Sequence, residues 1–176
     1  MRRFSVSLAA LLLAHAAPSL ATGTYDPGAS DTEIRIGNSA PYSGNLSQTS
    51  TGSKIALAYF KMLNEHGGIN GRKVTFISYD DGYNPARTVE DVRRLVEQDK
   101  VLLIYSIPGT PTNLAVEKYL NQRKIPQLFA AAGASRLHDP AHYPYTIGFI
   151  PSYVGEGTIY GRYLAAHMPH AKIGVL

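Results

Sequence analysis

The chain has 176 residues, 44% of them apolar, with no cysteine, no tryptophan and a formal charge of +4. Without cysteine there are no disulfides, no thiolate zinc sites and no cysteine nucleophile, so the fold rests on packing. Lysines and arginines after residue 22 are scattered in runs no longer than a pair, which argues against a nucleic-acid surface.

The first 21 residues have the layout of a cleavable export signal. Arg2 and Arg3 open it, Val6 to Ala17 form an apolar run, and Ser19-Leu20-Ala21 supplies small residues for cutting after Ala21. That run is too short to span a ~30 Å bilayer core, which takes about 20 residues. With no Cys beyond the cut, no lipid-anchored start is expected. The mature chain of 155 residues carries a charge of +2 and is long enough for one domain with a real core. No later stretch approaches a membrane span, so the mature protein is expected to be soluble.

Residues 22–32, rich in Gly, Thr, Pro and Ser, read as a flexible start. Glu33 to Ser39 reads as a strand and Pro41 to Asn45 as a loop. From Thr51 to Glu65, Ile55, Tyr59, Met62 and Leu63 repeat at helical spacing, which predicts that they form the buried face. Gly67 and Gly68 end that helix, and Asn70-Gly71 turns into a strand over Lys73 to Tyr79. After a loop over Asp80 to Asn84, Pro85 suits the first turn of a helix, with Val89, Val92, Leu95 and Val96 as its stripe. Val101 to Tyr105 reads as a parallel strand covered on both faces. The loop Pro108 to Thr112 leads into a helix to about Arg123, and Gln127 to Ala132 reads as a fourth strand. Tyr153 to Met168 predicts a helix, and Lys172 to Leu176 the start of a strand. Alternating strands and helices predict an α/β doubly wound parallel sheet with right-handed crossovers. A helix and one strand cannot close a second domain, so the chain reads as the front part of a longer protein.

Ligands of such sheets bind beyond the carboxyl ends of the strands. The loops there, Ser39 to Ser50, Ser106 to Thr112 and Ala131 to Ser135, are rich in small residues and hydroxyls and poor in charge. The second opens a helix whose first-turn N–H groups, with Thr110 and Thr112 nearby, suit a carboxylate. Thr112 has a second reading, as a residue that merely caps its own helix. Tyr42 sits where its ring could face a ligand. Asp80 and Asp81 are adjacent in an extended segment and should point opposite ways. His138 and His142 are separated by Pro140, and His167 and His170 by Pro169, which spoils metal-ligand spacing, so no metal is expected. No Gly-x-Gly-x-x-Gly, Walker or Gly-x-Ser-x-Gly motif occurs, so neither a cofactor nor catalysis is expected.

Ile34-Arg35-Ile36-Gly37 leading to Ala40-Pro41-Tyr42-Ser43-Gly44 resembles the opening of type I periplasmic substrate-binding proteins of the Leu/Ile/Val-binding branch. So does Ala58-Tyr59-Phe60 running into Asn64-Glu65-His66-Gly67-Gly68-Ile69-Asn70-Gly71-Arg72-Lys73-Val74, followed by Asp80-Asp81 and Pro85. Gly109 to Asn113 and Ala131-Ala132-Gly133-Ala134-Ser135 match the family's later binding loops.

The resemblance implies two doubly wound lobes closing by hinge motion on a small ligand, for delivery to an inner-membrane ABC permease. Lobe one is then complete over 33–148, the first hinge strand crosses at 149–151, and lobe two has only begun over 152–176. It implies a periplasmic, monomeric, non-enzymatic protein. Gly109, Thr110 and Pro111 fall where the family holds the ligand's carboxylate, and Ala131, Ala132 and Gly133 where it supplies backbone contacts. Amino-acid binders often have Ser or Thr in place of Gly133, and an aromatic ring around Thr49, where this chain has Gln48-Thr49-Ser50. Tyr42, beside Ser43, could supply that ring. A branched-chain amino acid, an aromatic or aliphatic acid and an amide all remain open as ligands. A bulky side chain at Gly109 is expected to abolish binding and spare the fold. A ligand-sensing module on the same fold is the alternative function, and an exported α/β enzyme a third, for which no nucleophile or acid–base pair is visible.

Overall fold

The computed structural model describes residues 23–174, so the expected export signal and its cleavage point lie outside the described residues. Five strands form one parallel sheet: β1 (Glu33–Ala40), β2 (Lys73–Asp80), β3 (Leu103–Tyr105), β4 (Gln127–Ala130) and β5 (Thr146–Gly148), in the order β2-β1-β3-β4-β5. The helices are α1 (Thr51–Glu65), α2 (Pro85–Glu97), α3 (Thr110–Arg123) and α4 (Tyr153–His167). The chain steps from β1 outward to β2, then back across to β3 on β1's other side. Right-handed crossovers therefore set α1 on one face and α2 with α3 on the other. The sheet's winding reverses between β1 and β3, and a crevice opens there at the carboxyl ends of these strands.

Local chemistry accounts for most boundaries. Asn84 caps α2 by accepting from the Ala86 N–H at 2.9 Å, ahead of Pro85 at the first helical position. Asn70 and Gly71 both have positive φ, 50° and 77°, and make the tight turn that Ile69 and Arg72 close with paired backbone bonds. Val92, Leu95, Val101, Ile104, Ile107, Val116 and Leu120 form the core between the sheet, α2 and α3. Gly37 lies under it, where a Cβ would come within 3.0 Å of Ile104 and 3.2 Å of Leu95.

The face of α1 differs from the expectation. Ser53 and Ala56 are its buried residues, whereas Ile55, Tyr59 and Met62 are 64%, 53% and 48% exposed. Lys54, Lys61 and Glu65 share one side of α1 and the rest is a wide apolar arc, but the residues buried are the small Ser53 and Ala56, which let the helix lie close to the sheet. β5 was not expected. It has only three residues, and Asn121 of α3 anchors it by accepting from the Tyr145 N–H and donating to Thr146 Oγ1. Within 22–32, Gly28 accepts from the Arg35 N–H at 2.7 Å and Tyr25 bonds Asp31 and Arg72, so this stretch is tied to β1 and to the β2 turn. Residues 172–174 form no strand, and the rest of the strand expected there lies outside the described residues. No described helix is long and apolar enough to cross a membrane.

Candidate ligand-binding site

Four loops leave the carboxyl edge of β1 to β4. After β1, the Tyr42 N–H donates to Asp80 Oδ1 at 2.8 Å, and the Ser43 and Gly82 N–H groups donate to the same oxygen at 3.1 Å. Hydrogen bonding from Ser43, then from these backbone donors, holds the Asp80 carboxyl below its ordinary range. Asp80 faces outward, whereas Asp81 is fully buried and takes the Ser39 and Thr88 hydroxyls, so the two point apart as adjacent strand residues must.

Tyr42 presents a ring rather than a hydroxyl. Ser78 Oγ donates its one hydrogen to Asn38 Oδ1 at 2.7 Å, so the Tyr42 hydroxyl is the donor in its 2.6 Å bond to Ser78. Buried Asn38 in turn donates to the Tyr105 and Ser106 carbonyls at 2.7 and 3.3 Å. This relay ties the loop after β1 to the start of the loop after β3, where Ser106 has φ 50°. Thr49 lies on a short 3-10 turn, Ser47–Ser50, and its hydroxyl donates to the Leu46 carbonyl at 2.7 Å. It serves its own turn.

The loops after β3 and β4 are joined. Gly109 N–H donates to the Ala131 carbonyl at 3.1 Å, and Ala131 N–H donates to the Ile107 carbonyl at 3.0 Å. Gly109 precedes α3 with φ 91°. The Thr112 hydroxyl is buried and donates to the Pro108 and Gly109 carbonyls, so it is taken up by its own loop; nor does it cap α3, which Gly109 opens without a side-chain cap bond. Pro111 is exposed and has no N–H to offer. Thr110 remains: half-buried at the first helical position, its N–H and hydroxyl make no hydrogen bond among the described residues. A first-turn amide, a hydroxyl and the positive end of a 14-residue helix thus meet at one point.

Ala132 is buried with its N–H on the Ala130 carbonyl at 2.9 Å. Gly133 accepts from the Tyr153 N–H at 2.8 Å, and a Cβ there would lie 2.6 Å from the Pro151 carbonyl and 2.7 Å from the Tyr153 ring. The Ser or Thr that amino-acid binders often have at this position would therefore collide with the chain entering α4. After this loop, Arg136 donates to Glu117 of α3, whose carboxylate is fully buried with Oε1 unbonded among the described residues.

Tyr83, in the loop after β2, also reaches this edge, although nothing in its sequence context singled it out. Its ring lies against Gly109, where a Cβ would fall 2.5 Å from Tyr83 Cε2. Its position was the only signal, since residues 80–84 leave the same sheet edge. Gly109 therefore cannot accept a bulky side chain and leave the fold intact, as was expected, because Tyr83 fills that space and φ 91° disfavours any Cβ. A groove of about 980 Å³ between α1 and β2 lies away from this edge and is lined by Leu57, Phe60, Val74 and Phe76. Among the described residues no group of three or more His, Cys, Asp or Glu could hold a metal ion.

A family model described as periplasmic binding protein matches residues 33–176. Among solved structures, the chain is 27% identical to a possible leucine/isoleucine/valine-binding protein from Rhodopirellula baltica SH 1, with TM-score 0.71, covering 82% of this chain and 38% of that one. It resembles in fold a solute binding protein of an ABC transporter from Rhodopseudomonas palustris BisB5 in complex with 3,4-dihydroxy benzoic acid, at 24% identity, TM-score 0.66 and coverage of 77% and 37%. It likewise resembles a branched chain amino acid ABC transporter protein from Thermus thermophilus with bound valine, at 22% identity, TM-score 0.70 and coverage of 78% and 36%. No curated protein matches. The chain spans under two-fifths of the length of these solved relatives. With its five-stranded parallel sheet, doubly wound helices and matched motifs, the chain belongs to the periplasmic binding protein family, on the fold of the Leu/Ile/Val-binding branch.

Proposed function

We propose that this chain is the ligand-capturing first lobe of an exported solute-binding protein serving an ABC importer, and that its ligand is a small carboxylate. The observation that carries this reading is the convergence at Thr110. The loops after β3 and β4 are locked together through Gly109 and Ala131, and the Thr110 amide and hydroxyl at the positive end of α3 have no partner among the described residues. Valine and 3,4-dihydroxy benzoic acid, held by two of the relatives, share a carboxylate and differ in the rest.

In this reading Thr110 holds the carboxylate. The Thr112 amide assists, Ala131 to Gly133 form the backbone wall, and the Tyr42 ring stands on the opposite side of the crevice. The Tyr42–Ser78–Asn38 relay keeps that ring in place. The signal is cleaved after Ala21 on export, residues 149–151 act as the hinge crossing, and 152–176 begin a second lobe that closes over the ligand. No step of this function needs a cofactor, a metal or a second copy.

A thermal-shift panel on the full natural reading frame, started at Thr22, tests the reading with branched-chain amino acids, aromatic and aliphatic acids, amides and sugars. A ligand at 100 times its Kd adds about 2.7 kcal/mol, a shift of several degrees. Stabilisation by one class of acid supports the reading. Silence across all acids overturns it.

A further inference from the structure

The space beside Gly109 is filled by a side chain from another loop. Tyr83 reaches it from the β2–α2 connection with its backbone in the left-handed region, φ 62°, which a non-glycine residue holds only where its surroundings impose it. Asp81 imposes it: the Tyr83 N–H donates to Asp81 Oδ1 at 2.8 Å, and the Asn84 N–H returns to the Asp81 carbonyl at 2.9 Å. Asp81 is fully buried and is fixed by the Ser39 and Thr88 hydroxyls at 3.0 and 2.9 Å. The direction of the ring is therefore set by a buried anchor on β1 and α2. The glycine at 109 allows the phenol to reach the start of α3. There the ring is half-buried, and its hydroxyl makes no hydrogen bond among the described residues, although a phenol drawn into a cleft ordinarily finds a partner.

We propose that Tyr83 is a specificity-determining residue of this site, its O–H donating to the carboxylate of the ligand beside Thr110. This rests on the carboxylate reading above. A phenol gives a stronger hydrogen bond to a charged carboxylate than to a neutral amide oxygen, so Tyr83 selects the acid over its amide. Tyr83→Phe in the full natural reading frame is the direct test, since it keeps the ring against Gly109 and removes only the hydroxyl. Titrations use benzoate, hexanoate and L-isoleucine, each against its amide. The expected result is an acid affinity lowered roughly tenfold or more, a smaller loss for the amide, and an unchanged melting temperature without ligand. Equal acid affinity in both proteins overturns the role of Tyr83 and leaves the carboxylate site standing. Failure of the wild type to bind any of the acids overturns both.

If Tyr83→Phe does not fold, Tyr83→Trp places a single indole in a stretch of chain that has none. Its emission should change when the bound acid is added. Binding without any emission change overturns the proposal.

Discussion

Removing Arg136 should leave a buried charge without a partner. The Glu117 side chain is 0% exposed, its Oε1 has no hydrogen bond among the described residues, and Arg136 Nε is the donor to Oε2. Burial already pushes the Glu117 carboxyl up, and the bond and charge of Arg136 pull it back. A carboxyl raised on folding contributes fully below its unfolded value, about 4.3, and that contribution is lost as pH climbs through the folded value. Arg136→Met raises the carboxyl further, so its destabilisation must grow with pH. Breaking a buried ion pair costs about 3–5 kcal/mol. The Arg136 side chain is 45% exposed, and solvent on that side argues for the lower end, about 3 kcal/mol at pH 7.5. The stacking of Arg136 on Tyr143, 4.5 Å away, adds up to about 1 kcal/mol at every pH. At 2–4 °C per kcal/mol the two losses together lower the melting temperature by roughly 6–16 °C at pH 7.5 and by only a few degrees near pH 4. Thermal melts at both pH values read this directly, and Glu117→Gln added to Arg136→Met should restore most of the loss. An equal loss at both pH values would refute the reasoning.

Two further substitutions probe the floor of the site. Gly109→Ala should cost at least 1–3 kcal/mol, because φ 91° and the Tyr83 ring both oppose a Cβ. Urea unfolding at wild-type stability would show that the ring does not fill this space in solution. Asp91→Asn should raise the melting temperature at pH 7.5 and not at pH 4. The single Ser39 hydrogen faces Asp81 at 3.0 Å and Asp91 at 2.8 Å, so the carboxylates share one donor. Desolvation above all, aided by the charges of Asp81, Glu90 and Asp80 and opposed by Ser39, raises the Asp91 carboxyl. The wild type therefore loses stability as pH rises through that value, and the amide does not. A variant less stable than the wild type at pH 7.5 would contradict this.

The elements legible in the sequence were those signalled locally. Asn84-Pro85 marks the start of α2, Asn70-Gly71 the turn into β2, and the apolar run to Tyr105 a strand, β3, of which only Ile104 is fully buried. The buried side of α1 was not legible, since its buried residues are the small Ser53 and Ala56 rather than the large apolar ones that mark its periodicity. Nor was β5, whose three residues are held by Asn121 and Gln127 rather than by any pattern of their own. At the site, the loops themselves could be placed from topology. The directions of their hydroxyls could not, because Thr49 and Thr112 each had a carbonyl within local reach. Gly109 and Gly133 read as ligand-approach positions, yet the groups that approach them in the structure are the rings of Tyr83 and Tyr153. Only contacts between distant segments distinguish those cases.

The central claim is that a carboxylate rests at the start of α3, and a crystal structure of the full natural reading frame with the best-stabilising acid tests it most directly. The account predicts a carboxylate oxygen within about 3 Å of the Thr110 amide or hydroxyl. A ligand lodged instead in the groove between α1 and β2, or one whose carboxylate contacts neither Thr110 group, would contradict it.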